Sequence, residues 1–461
     1  MAFYPMKLPL FKIKVLFAGW MLAGAGFGSS SQAAVFDVRT YGAKGDRQSM
    51  DTSALQAAID ACGKAGGGEV LFSPGDYLSG TLVLRSHVIV HFDSGAALWG
   101  STHLSDYSPE CLIYAKGVTD IALEGPGVID GQGDSFYDEQ MKPRKRPGNL
   151  IRLVGCNHIR IENITIRKSP EWTIHPEGCD DVAIRGITLL NNLRAVETDG
   201  IDPDSCRNVF ISDCHIESGD DCICLKTGVP PAGPTENVVV TNCVLVSSAS
   251  ALKLGTRNFN DIRHCLFSNC VIRDSRTGIA LMAEDGGAMT DIRFSNISIV
   301  TKPKWGAGQE WPIVLDINQR TPSSKITHMA DIAFSGISLE THGRILAEGT
   351  PSSSIERLSF RDCSVRVTGF EAIERAKKPL GGAKSTAKGL PDYGTAPAAF
   401  ILAYINGVVL DGVTLTWPDS ADAPLRRAVY GDHVENAALG GLRGGASRAG
   451  ESAIVLEHSA K

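Results

Sequence analysis

The sequence has little of several features that mark common protein classes. Aromatic residues make up only 7% of its 461 residues, and the 45 lysines and arginines are outnumbered by 51 aspartates and glutamates. A net charge of −6 provides no general basic face for phosphates, which argues against a nucleic-acid-binding protein. The twelve cysteines include no Cys-x-x-Cys pair, so we expect no metal site and no cofactor.

Long apolar runs are missing too, apart from one near the N-terminus. Three lysines precede an apolar run from Val15 to Phe27, and small residues follow it. The run of about 13 residues is shorter than the roughly 20 that a membrane anchor, the alternative, would need. The pattern is typical of a secretory signal peptide over residues 1–33. We therefore expect a secreted or periplasmic mature chain with no membrane association after cleavage.

An alternating apolar pattern recurs along the rest of the chain. Clear copies are Ile159–Ile166, Val182–Leu189, Val209–Ile216 and Val238–Leu245. The period of about 27 residues indicates a repeat architecture, and the alternation within each copy predicts strands. Such short copies leave no room for helical crossovers or for the four strands of a propeller blade. The sequence therefore predicts an all-β fold, a parallel β-helix of about ten coils.

Each copy also contains a residue at which the alternation breaks. These residues are of the types that best tolerate a left-handed backbone, so each copy is predicted to bend sharply there. The predicted bends are at Asn163, Gly186, Asp213, Asn242, Asn269, Asn296, Gly336, Asp362 and Gly412.

Other patterns complete the predicted single domain, residues 34–461. Cysteines recur at equivalent positions of the copies, which predicts buried ladders of cysteine side chains rather than a metal cluster. Adjacent coils are close enough for some of these cysteines to form disulfides, and the sequence does not determine which. The segment Ser53 to Gly63 is predicted to be an amphipathic helix, capped by Asp51 and Thr52, that covers the N-terminal end of the solenoid. Departures from the period predict loop insertions at residues 132–149, 302–312 and 370–397.

Three carboxylates are candidates for catalysis. Asp199 precedes Asp220 and Asp221 by about one coil, so the three are predicted to lie together. Like charges raise the pKa of at least one acid in such a cluster, and one protonated acid beside an ionised one suits glycoside hydrolysis. Solvated turn aspartates or a calcium site are the alternatives.

Long motifs around these acids resemble the polygalacturonase family, glycoside hydrolase family 28. They are Asn191–Gly228, Ser169–Pro176, Phe36–Asp46 and Gly66–Gly75. The resemblance extends over roughly Phe36 to Ile299. It implies a single-stranded right-handed parallel β-helix and inverting hydrolysis of pectic polysaccharide. It further implies that Asp220 is the general acid and that Asp199 and Asp221 activate the attacking water.

The sequence departs from that family at positions that bind substrate. Ser250 stands where the family has a histidine, and Ala280 and Met282 replace the Arg-x-Lys pair that holds a galacturonate carboxylate. Either the reactive subsite takes a neutral or differently placed sugar, or the cationic clamp has moved. The candidate substrate-binding residues are Lys253, Lys226, Arg257, Arg276, Tyr137 and Trp305.

The expected partner is therefore a pectic or related plant cell-wall carbohydrate, bound by a monomer. A polysaccharide lyase and a non-catalytic carbohydrate-binding β-helix are the alternatives. A lyase would need calcium and a basic residue to remove a proton beside a uronate carboxylate, whereas the acids here follow the hydrolase motif.

Overall fold

The repeats fold into successive coils of parallel strands. The computed structural model describes residues 34–302, 309–371, 373, 392–420 and 422–459. Three ladders of parallel strands run from coil to coil, which confirms the predicted parallel β-helix. The predicted signal peptide lies outside the described residues, as do residues 303–308 and 374–391 of two predicted loop insertions.

Among the described residues, the first ladder has fourteen strands, one from each coil, compared with the ten or so coils that the sequence predicts. Ten of them begin at or after Thr165, where the repeat is regular, and the four earlier ones lie where no pattern was recognised. The strands are Asp46–Met50, Gly75–Ser79, Ala96–Gly100, Val128–Asp130, Thr165–Arg167, Thr188–Leu190, His215–Ser218, Val244–Ser247, Val271–Ser275, Ser298–Thr301, Ser338–Thr341, Ser364–Val367, Val413–Thr416 and Leu442–Arg443.

The second and third ladders form the other faces and share two long strands near the C-terminus, Ala398–Asp411 and Arg427–Ala438. The remaining strands of the second ladder are Val35–Asp37, Gly68–Phe72, Val88–Phe92, Thr119–Glu124, Asn157–Glu162, Asp180–Arg185, Arg207–Ser212, Thr235–Thr241, Ile262–Ser268, Met289–Ser295, Met329–Ser335 and Ile355–Arg361. Those of the third are Leu82–Val83, Ile113–Lys116, Ile151–Val154, Ile174–Glu177, Ile223–Thr227, Ser250–Asn258, Thr277–Ala283, Trp311–Ile317, Ile345–Glu348 and Ile454–Glu457.

The predicted bends are confirmed at all nine positions. Their φ angles lie between 51° and 64°, in the left-handed region that asparagine, aspartate and glycine tolerate best. A fixed bend in every coil keeps equivalent residues in register. Parallel strands about 4.8 Å apart therefore stack side chains of equivalent positions inside the solenoid.

Two kinds of internal ladder result from this register. Phe267, Phe294 and Phe334 stack with ring centroids 4.8 and 5.0 Å apart. The backbone N–H of Cys156 donates to Cys179 Sγ at 3.4 Å, one link of a second ladder. All twelve cysteines are buried and free, which confirms the predicted apolar ladders.

In the part of the chain that the structure describes, one α-helix is present, Thr52–Lys64. It packs on the first strands through one face that buries Leu55 and Ile59. It matches the predicted helix within a residue at each end. The predicted cap is wrong in one respect, because the Asp51 side chain makes no bond to the helix. Its carboxylate instead accepts the N–H groups of Lys44 (2.7 Å) and Gly45 (3.0 Å).

Short 3₁₀ helices complete the regular structure. They are Val38–Tyr41, Leu104–Asp106, Gly133–Phe136, Pro230–Ala232 and Tyr393–Thr395. Among the described residues, no helix combines the length and the apolar character needed to cross a membrane.

Candidate active site

The three candidate acids meet on the outer face of the third ladder. The backbone N–H of Thr173 donates to the Asp199 carbonyl at 2.8 Å, and that of Gly200 donates to the Asp221 carbonyl at 2.9 Å. These bonds place Asp199 and Asp221 on neighbouring coils at similar positions, as their spacing predicted. Carboxylate oxygens of Asp199, Asp220 and Asp221 lie within 4.8 Å of one another.

Asp220 is the half-buried member of this cluster. One carboxylate oxygen accepts the N–H of Glu197 and the other accepts that of Asp221, both at 3.0 Å. Burial, followed by the charges of Asp199 and Asp221, raises the pKa of Asp220 to about 7. Asp220 therefore tends to keep its proton near neutral pH, where an ordinary aspartate is ionised.

Asp221 has the opposite protonation tendency. Its Oδ1 accepts the backbone N–H of Ser250 at 3.1 Å, and its Oδ2 accepts a hydrogen bond from Lys253 Nζ at 2.6 Å. Burial alone would raise the pKa of Asp221, but the charges of Lys253 and Lys226 and these hydrogen bonds hold it below its usual value. Asp221 therefore tends to stay ionised, whereas the neighbouring Asp220 tends to keep its proton.

Asp199 belongs to a buried group that the sequence reasoning did not find. Lys226 Nζ lies 3.2 Å from Asp199 Oδ2 and contacts Asp202 Oδ1. The Lys226 ammonium group thus contacts the carboxylates of both Asp199 and Asp202, which are buried. Burial is the main cause that raises the pKa of Asp199 well above its usual value and that of Asp202 to about 6. The ammonium also lies 4.4 Å from the centroid of the Trp172 ring.

The cations also bear on the calcium alternative. Lys226 and Lys253 each bind a member of the acidic cluster directly. Their ammonium groups supply the positive charge that a calcium ion would otherwise bring to Asp199 and Asp221. The donor set therefore fits protonation chemistry better than metal binding.

Arg146, in the insertion at residues 132–149, contacts acidic residues beside this site. Arg146 lies 3.6 Å from a Glu171 oxygen and contacts Glu197, and its Nη1 donates to the Tyr137 hydroxyl at 2.9 Å. Tyr137 is buried, with its hydroxyl 2.8 Å from the Val196 carbonyl. Tyr137 therefore supports Arg146 and offers little ring surface to a sugar.

The other predicted binding residues are spread out. Arg257 is exposed, with Cζ 5.3 Å from the Trp172 ring centroid. Arg276 is half-buried and precedes Thr277, which is in register with Ser250 on the preceding coil. Trp305 lies outside the described residues.

An apolar cluster covers Ala280 and Met282, the two positions at which we expect the uronate clamp of the family to be replaced. Ala280 pairs with Lys253 and Met282 with Gly255, both directly beyond the acids on the third ladder. Both side chains are buried in an outer cluster that also contains Trp311, Val314, Leu346, Tyr393, Ala398, Ile401 and Ala403.

Acidic side chains continue the row beyond this cluster. Met282 is in register with Asp316, and Asp316 with Glu348. Burial, followed by the charge of a neighbouring acid, raises the pKa of Asp316 to about 7 and that of Glu348 to about 8. A carboxylate of the substrate would meet apolar and acidic groups along this row.

Sequence reasoning missed Asp202 and Trp172 although both lie in motifs that it used. Asp202 follows Asp199 by three residues, and Trp172 lies one coil before Asp199. The signal that could have found Asp202 is Lys226, a lysine inside an otherwise apolar strand. A buried lysine requires a carboxylate nearby.

The fold and the acids together define a class of protein. A parallel β-helix carries a protonated carboxyl beside an ionised carboxylate, the pair that glycoside hydrolases use. The model of glycosyl hydrolases family 28 matches residues 62–344, more than half of the chain. The chain therefore belongs to this family.

Individual relatives agree with that membership. A probable polygalacturonase of Vitis vinifera is 33% identical over 299 residues, 58% of this chain and 60% of that protein. An endo-polygalacturonase of Pectobacterium carotovorum subsp. carotovorum is 24% identical over 335 residues, 65% of this chain and 80% of that protein. The chain thus spans less than two thirds of the first relative's length.

Solved structures share the fold. The exopolygalacturonase of Thermotoga maritima superposes with a TM-score of 0.63 at 21% identity, covering 73% of this chain and 87% of its own. The family 28 exopolygalacturonase of Yersinia enterocolitica gives a TM-score of 0.64 at 16% identity, covering 89% and 79%.

Proposed function

We propose that this chain is an inverting glycoside hydrolase that cleaves pectic polysaccharide or oligosaccharide at a reactive subsite of altered specificity. Asp220 donates a proton to the departing glycosidic oxygen. Asp221 accepts a proton from the attacking water, and Asp199, whose own pKa is raised, helps to position that water. No cofactor takes part in this proposal.

The observation that carries the proposal is the opposite direction of two pKa shifts on adjacent residues. Burial and the charges of Asp199 and Asp221 favour the protonated form of Asp220, although its carboxyl group accepts two backbone N–H groups. Asp221 binds the Lys253 ammonium, so its charge is retained. Divergent pKa values on neighbouring carboxyl groups are how hydrolases divide the acid and base roles.

Inversion is supported by family membership rather than by distance. Inverting enzymes typically hold their two carboxyl groups roughly 6.5–9.5 Å apart, whereas oxygens of the three acids here lie within 4.8 Å of one another. Proton NMR of the first-formed reducing end distinguishes the two outcomes, and we expect the anomer opposite to that of the cleaved bond.

The proposed specificity follows from the row of residues beyond the acids. Ala280 and Met282 are buried, and the next residues in register, Asp316 and Glu348, are acidic. A galacturonate carboxylate directed along this row would lose hydration beside apolar and acidic groups, and the Lys253 ammonium next to Ala280 is already bound to Asp221. A neutral sugar avoids that cost, so we propose that the reactive subsite takes a neutral sugar of a pectic substrate.

Substrate preference tests this proposal. We expect the purified protein to release reducing ends from rhamnogalacturonan or its oligosaccharides at least about tenfold faster than from plain polygalacturonan, since about 1.4 kcal/mol of lost binding corresponds to a factor of ten. Comparable rates on both would show that a cation such as Lys253 serves as a relocated clamp. A gain of ultraviolet absorbance that EDTA abolishes would identify a lyase, and binding without cleavage would identify a binding protein.

The pH dependence of kcat/KM provides a second test. Activity should fall as pH rises through about 7, because Asp220 then loses the proton that it must donate. Lys253→Met should move the acid limb of the profile to higher pH, because the pKa of Asp221 rises when the ammonium is removed. Lys253→Arg keeps the charge and serves as the control. An acid limb unmoved in Lys253→Met would contradict the assignment of Asp221 as base.

We also propose that the enzyme acts outside the cytoplasm as a monomer, on plant cell-wall carbohydrate. The composition of residues 1–33 supports export, and the pectic names of the relatives support the substrate class. Cleavage between the predicted signal peptide and the β-helix, read by N-terminal sequencing of the secreted chain, tests the first point.

A further inference from the structure

A second cluster of ionisable side chains lies far along the solenoid from the catalytic acids, on the last two coils of the third ladder. Asp432 belongs to the strand Arg427–Ala438, and His458 follows the strand Ile454–Glu457. His433 Nδ1 and His458 Nδ1 each lie 2.9 Å from the same oxygen of Asp432. We propose that Asp432, His433 and His458 form a binding site for a divalent transition-metal ion, with Zn²⁺ as the best match.

The donor atoms suit such an ion in type and in spacing. Zn²⁺ binds imidazole nitrogen and carboxylate oxygen at roughly 2.0–2.2 Å, so ligand atoms around it lie about 3 Å or slightly more apart. The three donor atoms here lie within 4.8 Å of one another. Small side-chain adjustments would therefore bring them to one ion. The side chains of His433 and His458 are 44% and 72% exposed, which leaves the remaining coordination position to water.

The surroundings hold the three ligands in place. Tyr393 Oη donates to the other oxygen of Asp432 at 2.7 Å, the kind of supporting hydrogen bond that orients a ligating carboxylate. The imidazole of His433 stacks between Tyr404 and His458, with centroid distances of 4.5 and 5.2 Å. Stacking limits rotation of both rings, so their Nδ1 atoms stay directed at Asp432.

A bound ion would connect the final pair of strands in the third ladder. Asp432 is in register with Glu457, immediately before His458. Among the described residues, the strand Ile454–Glu457 pairs with Arg427–Ala438 on one side only, so its packing is weaker than that of strands with two neighbours. An ion that binds only the folded chain stabilises it by mass action. The bound ion would thus hold the strand Ile454–Glu457 against its neighbouring strand and stabilise this part of the β-helix. This effect does not depend on any activity on carbohydrate.

Metal titration of the purified full chain tests the proposal. After treatment with EDTA and dialysis, we expect Zn²⁺ to bind at one ion per chain and to raise the Tm. His458→Ala and Asp432→Asn should each weaken binding at least tenfold and abolish the Tm shift. The matched control is His264→Ala, because His264 also places Nδ1 2.9 Å from a carboxylate oxygen, that of Asp291, but lacks a second histidine there.

Titration with Co²⁺ identifies the ligands. Visible d–d bands without a sulfur-to-cobalt charge-transfer band would support coordination by histidine and aspartate and would exclude the cysteines. A charge-transfer band, unchanged binding in His458→Ala, or no binding of either ion would overturn the proposal and leave an ordinary hydrogen-bonded His–Asp–His group.

Discussion

Replacement of Asp220 by asparagine is expected to lower kcat/KM by about 10²–10⁴-fold, the usual contribution of general acid–base catalysis. The amide keeps the size of the side chain but lacks the acidic proton that the departing oxygen needs. Asp181→Asn, on an exposed bend of the second ladder, is the matched control and should retain activity.

Two further measurements separate loss of the acid from loss of the fold. Burial and the charges of Asp199 and Asp221 raise the pKa of Asp220, so its ionised form is destabilising above about pH 7. Asp220→Asn removes that charge, and we expect its Tm at pH 8 to be at least that of the unmodified protein. The variant should also lose less activity on an aryl glycoside, whose leaving group needs little protonation. An equal loss on both substrates would contradict the role of Asp220 as acid.

The largest effect on stability is expected for Lys226→Met. The side chains of Lys226 and Asp199 are each 6% exposed and that of Asp202 is fully buried, so the methionine would leave two buried carboxylates without their cation. Breaking a buried ion pair on one side typically costs about 3–5 kcal/mol. Thermal unfolding measures this loss, and Lys168→Met, with a half-exposed side chain 3.9 Å from Asp134, is the control.

The effect of Lys226→Met should depend on pH in a defined direction. Without the ammonium, the pKa values of Asp199 and Asp202 rise further, so the folded chain takes up protons more readily than the unfolded chain. The variant therefore loses most stability at pH 8 and less at pH 5, where protonation relieves the buried charge. Lys226→Met combined with Asp202→Asn should recover part of the loss. Equal losses at both pH values would mean that packing, and not charge, is the function of Lys226.

The apolar cluster changes how the substitutions at Ala280 and Met282 are understood. The resemblance to the family implies only that two cations are replaced. The structure shows that Trp311 and Tyr393 pack on the vacated positions, so the space is filled. A substitution Ala280→Arg would therefore disturb this packing rather than restore a clamp.

The sequence by itself determined the repeating part of the molecule. Its period predicted the coils, the residues at the breaks predicted the left-handed bends, and the cysteine positions predicted buried ladders. The separation of Asp199 and Asp220 by one coil predicted that the acids meet. These features depend on the local backbone preferences of residues and on the register between coils. Both can be predicted directly from a periodic sequence.

Only the tertiary structure decided which side chains meet outside that register. Lys226 binds Asp202 as well as Asp199, Lys253 binds Asp221, and Tyr137 is buried rather than presented to a sugar. Tyr393 packs on the cluster around Met282 although it is far along the chain. Such contacts depend on side-chain conformation and on the paths of insertions that break the period. These side-chain contacts therefore cannot be predicted from the sequence repeat.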